Sequence, residues 1–117
     1  MELQRESWLT MERTSTEFVR LAETVEVAPG QVKVYELHGR RIALCNVDGS
    51  FYAIDDVCTH DGGSLDQGEL DGHQIECPRH GARFDVRSGR ALTLPAVMPV
   101  RSYPVRVEDG VVEVGLG

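Results

Sequence analysis

At 117 residues, 41% of them hydrophobic, the chain can build one modest core and so one domain. Its formal charge of −7 argues against nucleic acid as a partner, since no basic stripe is present to meet phosphates. The sequence contains no apolar run of about eighteen residues, so no membrane span is expected. Its start, MELQRESWLTMERTSTE, lacks the apolar segment of a secretory signal.

Residues 1–15 are polar and read as a flexible N-terminal extension, leaving 16–117 as the folded domain. From Glu17 the pattern turns β, with one helical turn expected around Ala22–Glu26, before Pro29-Gly30. Gln31–Leu37 alternates polar and apolar, the period of a half-buried strand. Arg41–Val47 and Phe51–Ile54 follow, joined through Asp48-Gly49, a hairpin signal. The same device recurs. Asp71-Gly72 separates Gly68–Leu70 from His73–Glu76, Ser88-Gly89 separates Phe84–Val86 from Arg90–Leu92, and Asp109-Gly110 separates Tyr103–Val107 from Val111–Val114. Short alternating runs divided by tight turns predict a largely antiparallel all-β domain.

Two loops on this map carry metal-binding side chains. Cys58-Thr59-His60 follows the Phe51–Ile54 strand, and Cys77-Pro78-Arg79-His80 follows His73–Glu76, with residues 61–76 between the pairs. Each loop offers one thiolate and one imidazole, and each ends in glycine, at Gly62-Gly63 and at Gly81. Two cysteines and two histidines in this array suit a Rieske-type 2Fe–2S cluster, in which histidines replace two of the four thiolates on one iron. A structural zinc site could use the same donor types, but such sites usually hold their ligands on tighter knuckles. The third thiol, Cys45, lies in the apolar run Arg41–Val47 and reads as a small buried hydrophobe. An odd, unpartnered cysteine suits a reducing cytoplasm.

The stretch CTHDGGSLDQGEL…IECPRHGARFDVRSGRALTLPAVMPVRSYPVRVEDGVVEV resembles the small soluble Rieske ferredoxins that serve multicomponent ring-hydroxylating oxygenases. The resemblance implies a Rieske fold: an antiparallel β-sandwich base with a small inserted cluster-binding subdomain, here about residues 56–86. It implies one Rieske-type 2Fe–2S cluster held by Cys58, His60, Cys77 and His80, with the histidines at the exposed tip. Leu94–Val100, about residues 94–100, is similar to the family's proline loop, which covers the cluster from a further side.

Histidine ligands carry no charge where thiolates would, so Rieske potentials run from about −150 to +300 mV, against about −400 mV in plant-type ferredoxins. High-potential relatives place a serine and a tyrosine after the second histidine, both donating to sulfur. The matching positions here are Ala82 and Phe84, and neither side chain can donate. The same high-potential relatives carry an extra cysteine in each loop, forming a disulfide that braces the tip, and the matching positions here are Gly63 and Arg79. A centre at the low end, roughly −150 mV, is therefore expected. Leu65 and Met98 read either as shields of the cluster or as ordinary core. Asp55, Asp56, Asp61, Asp66, Arg79 and Arg83 read either as the rim of a docking face or as solvated loop charges, and His38 and His73 as surface residues.

The function implied is one-electron transfer from a flavin-containing, NAD(P)H-dependent reductase to a terminal oxygenase by transient docking, in the cytoplasm. The alternative is a Rieske ferredoxin donating electrons in iron–sulfur cluster assembly or to another redox enzyme. Rieske oxygenases also need a mononuclear iron domain with further histidines; only His38 and His73 are left over here, so a component rather than a catalyst is expected.

Overall fold

The computed structural model describes residues 17–57, 63–78, 81–94 and 98–116. The described residues contain ten strands: β1 (Phe18–Glu23), β2 (Val32–Leu37), β3 (Arg40–Val47), β4 (Ser50–Asp55), β5 (Glu69–Asp71), β6 (Gln74–Glu76), β7 (Arg83–Asp85), β8 (Ser102–Tyr103), β9 (Val105–Glu108) and β10 (Val111–Gly115). They form three antiparallel sheets, ordered β1-β10-β9, β2-β3-β4-β8 and β5-β6-β7. The expected extension 1–15 lies outside the described residues. Among the described residues, no helix is long and apolar enough to cross a membrane.

The burial of β3 shows how the sheets are layered. Ile42 through Val47 are all buried, so this strand reads as a continuous apolar run rather than an alternation. Successive side chains on a strand point to opposite faces. Ile42 and Leu44 join Ala53, Tyr103, Val112 and Val114 in one core, where the middle sheet meets β1-β10-β9. Ala43, Cys45 and Val47 join Ile54, Ile75, Phe84 and Val86 in a second core, facing β5-β6-β7. The four-stranded sheet is therefore the middle layer of three, and the sandwich base is its pairing with β1-β10-β9.

Tight turns set the registers. His38-Gly39, Asp48-Gly49 and Asp109-Gly110 each place two successive residues at positive φ, the backbone of a two-residue hairpin whose twist suits its strands. His38 is thus the first corner of the β2–β3 hairpin, beyond its expected place at the surface. Asn46 ties this base together. Buried at 4% exposure, its side-chain amide donates to the Val27 carbonyl and accepts from the Gly49 N–H, each at 2.7 Å.

Several expected boundaries shift for physical reasons. Tyr103–Val107 is two strands, since Pro104 has no N–H for a ladder, and the chain there passes from β8 beside β4 to β9 beside β10. Arg90–Leu92 makes only an isolated bridge, Phe84 to Ala91. The helical turn is a 3-10 turn at Thr24–Glu26, and Ala22 belongs to β1.

Candidate metal centre

The third sheet spans β5 to β7 in sequence, and the loop of Cys77 leaves from its middle strand. Cys77 follows β6 directly and is 1% exposed. Its N–H donates to the Ala82 carbonyl at 2.7 Å, and its own carbonyl accepts the Gly81 N–H at 3.0 Å. The chain on either side of residues 79 and 80 is therefore held together at Cys77 and Ala82, and Gly81 takes the positive φ (76°) that this closure requires. Arg83 braces the strands behind it, with ion pairs to Asp71 and Glu76 and a hydrogen bond to Gln74.

The segments before and after Cys58 and His60 in the sequence are joined to each other through Asp56. Asp56 has a fully buried side chain. One carboxylate oxygen accepts the N–H groups of Leu65 and Asp66 at 2.9 and 2.7 Å. The other accepts the Ser64 hydroxyl at 2.7 Å and the Arg41 guanidinium at 3.1 Å. A buried carboxylate is tolerated when its lone pairs are matched in this way. The single Ser64 hydroxyl proton is shared with Asp66, whose carboxylate oxygen also lies within hydrogen-bond distance. Burial opposes ionisation of Asp66, but that hydrogen bond and its neighbours outweigh it and hold the pKa below the usual carboxylate value.

The bases of the two loops share one core. Leu65, Ile75, Cys77, Ala82 and Phe84 pack together, all wholly or almost wholly buried. A third segment joins them. The Leu92 N–H donates to the Arg83 carbonyl, the Arg83 N–H to the Thr93 hydroxyl, and the Val100 N–H to the Gly89 carbonyl. The chain before and after residues 95–97 is thereby held to β7 and to the turn that follows it.

Of the four expected ligands, Cys77 lies among the described residues; Cys58, His60 and His80 lie outside them, as do Asp61, Gly62 and Arg79. Cys77 could hold a metal. It is a buried thiol in no disulfide, at the mouth of a closed loop, and its donor chemistry fits an iron–sulfur group. Ala82 and Phe84 beside it are both wholly buried and offer no side-chain donor. Leu65 belongs to the core, while Met98 is 61% exposed. Cys45 is buried as expected, and burial, with Asp56 adding to it, pushes its thiol pKa up to about 12.

The expected docking rim changes character. Asp56 is internal, Asp66 closes the first loop, Arg83 is a brace and Asp55 accepts the Tyr103 hydroxyl. His73 packs edge-on against Tyr52, with ring centroids 5.6 Å apart. The clamp by Asp56 differs from the rim or loop charge that the sequence suggests. Its only sequence signal is an acid two positions before a cysteine, which looks identical to a solvated loop charge.

Comparison with known proteins places this arrangement. Residues 17–104 match the family described as Rieske [2Fe-2S] domain. The ferredoxin component of the p-cumate 2,3-dioxygenase system of Pseudomonas putida is 42% identical over 104 residues, covering 87% of this chain and 88% of that protein. The ferredoxin of carbazole 1,9a-dioxygenase from Nocardioides aromaticivorans IC177 superposes with a TM-score of 0.81 at 36% identity, covering 85% of this chain and 97% of that one. A chain in the complex of reduced oxygenase and oxidized ferredoxin in carbazole 1,9a-dioxygenase gives a TM-score of 0.79 at 34% identity, with 84% and 92% covered.

Proposed function

This chain belongs to the Rieske 2Fe–2S domain family, and from that premise we propose that Cys58, His60, Cys77 and His80 hold its one Rieske-type cluster. The protein is an electron-transfer component, and we propose that it takes single electrons from a flavin-containing, NAD(P)H-dependent reductase and passes them to a terminal oxygenase. The observation that carries the reading is the shared core beneath the two loops, with Cys77 buried at the root of one and Asp56 fastening the other. On this reading the cluster-binding subdomain runs over about residues 56–86, and the proline loop over about 94–100.

When bound, the cluster supplies one reversible one-electron couple. The residues of the chain do the rest. The closed mouth at Cys77 and Ala82 keeps water from the thiol, and Asp56 fixes the approach of the first loop through Leu65 and Asp66. Ala82 and Phe84 withhold hydroxyl donors, which favours the low end of the family's potential range. His60 and His80 are the proposed points of electron entry and exit. An acidic carrier is steered toward basic patches on its partners, and encounters through one face are weak and transient. Cys45, a buried thiol outside any disulfide, supports a cytoplasmic setting.

Stopped-flow mixing with a reductase and oxygenase of a dioxygenase system tests the role. Reduction by NADH through the reductase, then reoxidation by the oxygenase at one electron per chain, is expected. A reduced protein that the oxygenase cannot reoxidise would contradict it. His60→Cys and His80→Cys test the ligand set: each should retain an iron–sulfur centre at a sharply lower potential, and an unchanged potential would refute the assignment.

A further inference from the structure

Asp56 also borders a cavity, which Val57 and Ser64 of the first loop help to line. Its volume is about 480 Å³, and Arg40, Arg41, Asp55, Arg101 and Tyr103 also line it. Three guanidinium groups meet at this hollow in a chain of formal charge −7.

Most arginines elsewhere among the described residues are paired: Arg20 with Glu23, Arg83 with Asp71 and Glu76, Arg87 with Asp85, and Arg106 with Glu113, while Arg90 is exposed and forms no ion pair. Within the cavity Arg41 pairs with Asp56. Arg40 and Arg101 form no ion pair with a carboxylate among the described residues. Both instead approach the Tyr103 ring, their Cζ atoms 5.9 and 5.3 Å from its centroid. The cavity's own acids are already engaged. Asp55 accepts the Tyr103 hydroxyl, and Asp56 is taken by Arg41, Ser64 and two backbone amides.

One atom is left without an acceptor. Nη1 of Arg40 is buried and makes no hydrogen bond. A buried guanidinium nitrogen without an acceptor is unfavourable, and this acidic chain has carboxylates to spare. Two cations without a carboxylate partner among the described residues, one of them with an unmatched buried nitrogen, and an open hollow together describe a place kept for an anion from outside the chain.

We infer that this cavity binds an oxyanion, a carboxylate or a phosphate group, through Arg40 and Arg101. The planar guanidinium fork matches either group, and Tyr103 is the shared surface that orients both side chains.

Isothermal titration of the full, cluster-containing chain with inorganic phosphate, and separately with acetate, tests this against chloride at matched ionic strength. Saturable binding of at least one probe is expected, and the better probe identifies the group as phosphate or carboxylate. Arg40→Gln and Arg101→Gln should each weaken it by about tenfold or more, the loss of a charged hydrogen bond. Arg106→Gln removes the same charge outside the cavity and should leave binding unchanged. Circular dichroism checks the fold of each variant, and Arg101→Gln decides alone should Arg40→Gln not fold. No saturation by either probe, full binding by the folded cavity variants, or an equal loss in Arg106→Gln would overturn the inference.

Discussion

Asp56 and Leu65, nine positions apart, are joined by one hydrogen bond: a buried carboxylate oxygen of Asp56 accepts the Leu65 N–H at 2.9 Å. The same oxygen accepts the Asp66 N–H at 2.7 Å, so one side chain ties together the segments on either side of residues 58–62. Asp56→Asn keeps the shape but surrenders charge and acceptor capacity. A loss of about 2–3 kcal/mol is expected, in line with hydrogen bonds to a charged group. Urea unfolding followed by circular dichroism checks it; a midpoint equal to that of the unaltered protein would show that the clamp bears no weight.

The far end of that loop makes a second close approach. A Cβ at Gly68 would lie 1.8 Å from the carbonyl oxygen of Glu76 and 3.2 Å from that of Leu65. Both obstacles are backbone, so neither can swing aside. Gly68→Ala should cost about 3 kcal/mol, the upper range for overpacking, and should loosen the approach of the first loop to β6. Equilibrium unfolding gives the number, and a loss below about 1 kcal/mol would mean that the two segments part easily.

Cys45 predicts an alkaline signature. Its thiol titrates near 9.0 when unfolded and is pushed up to about 12 in the fold, first by burial. The folded state therefore holds its proton while the unfolded state releases it. Stability from this group is complete below pH 9.0 and falls as pH rises toward about 12. The slope approaches about 1.4 kcal/mol per pH unit for one proton. Tyr35, also raised to about 12, acts in the same sense, so the comparison is with Cys45→Ala, in which Tyr35 is unchanged. The variant should show a shallower alkaline limb; superimposable limbs would mean that the thiol ionises in place.

Ala82 bears on the potential. It is wholly buried, and its carbonyl receives the Cys77 N–H. Ala82→Ser supplies a hydroxyl donor at this position and should raise the midpoint by about 40 mV, the equivalent of about 1 kcal/mol for one electron. Voltammetry of the two proteins makes the comparison. An unmoved midpoint would show that position 82 has no part in setting the potential.

The local chemistry of turns and the alternation of strands made most of this fold legible in sequence. Asp48-Gly49 and Asp109-Gly110 marked two hairpins, and the apolar run at Arg41–Val47 marked the central strand. His38-Gly39 escaped notice because histidine is a less common first corner than aspartate or asparagine. The break at Pro104 depends on which sheet each neighbouring residue joins, and that is a tertiary fact. The family was legible because the Cys-x-His and Cys-x-x-His pairs stand on two loops in one short stretch. The roles of Asp56, Arg83 and Arg40 were not, because a charge that closes a loop, braces a sheet or lines a cavity has the same local sequence as one in water. Only long-range packing, such as Leu65 meeting Ile75 and Phe84, separates them.

The central claim is a low-potential, one-electron Rieske carrier. A redox titration of the purified protein followed by electron paramagnetic resonance tests it most directly. The account predicts a Rieske-type signal, integrating to one electron per chain, with a midpoint near the bottom of the family range at roughly −150 mV. A colourless protein holding zinc would contradict the metal assignment, and a Rieske signal at a high midpoint would contradict the role given to Ala82 and Phe84.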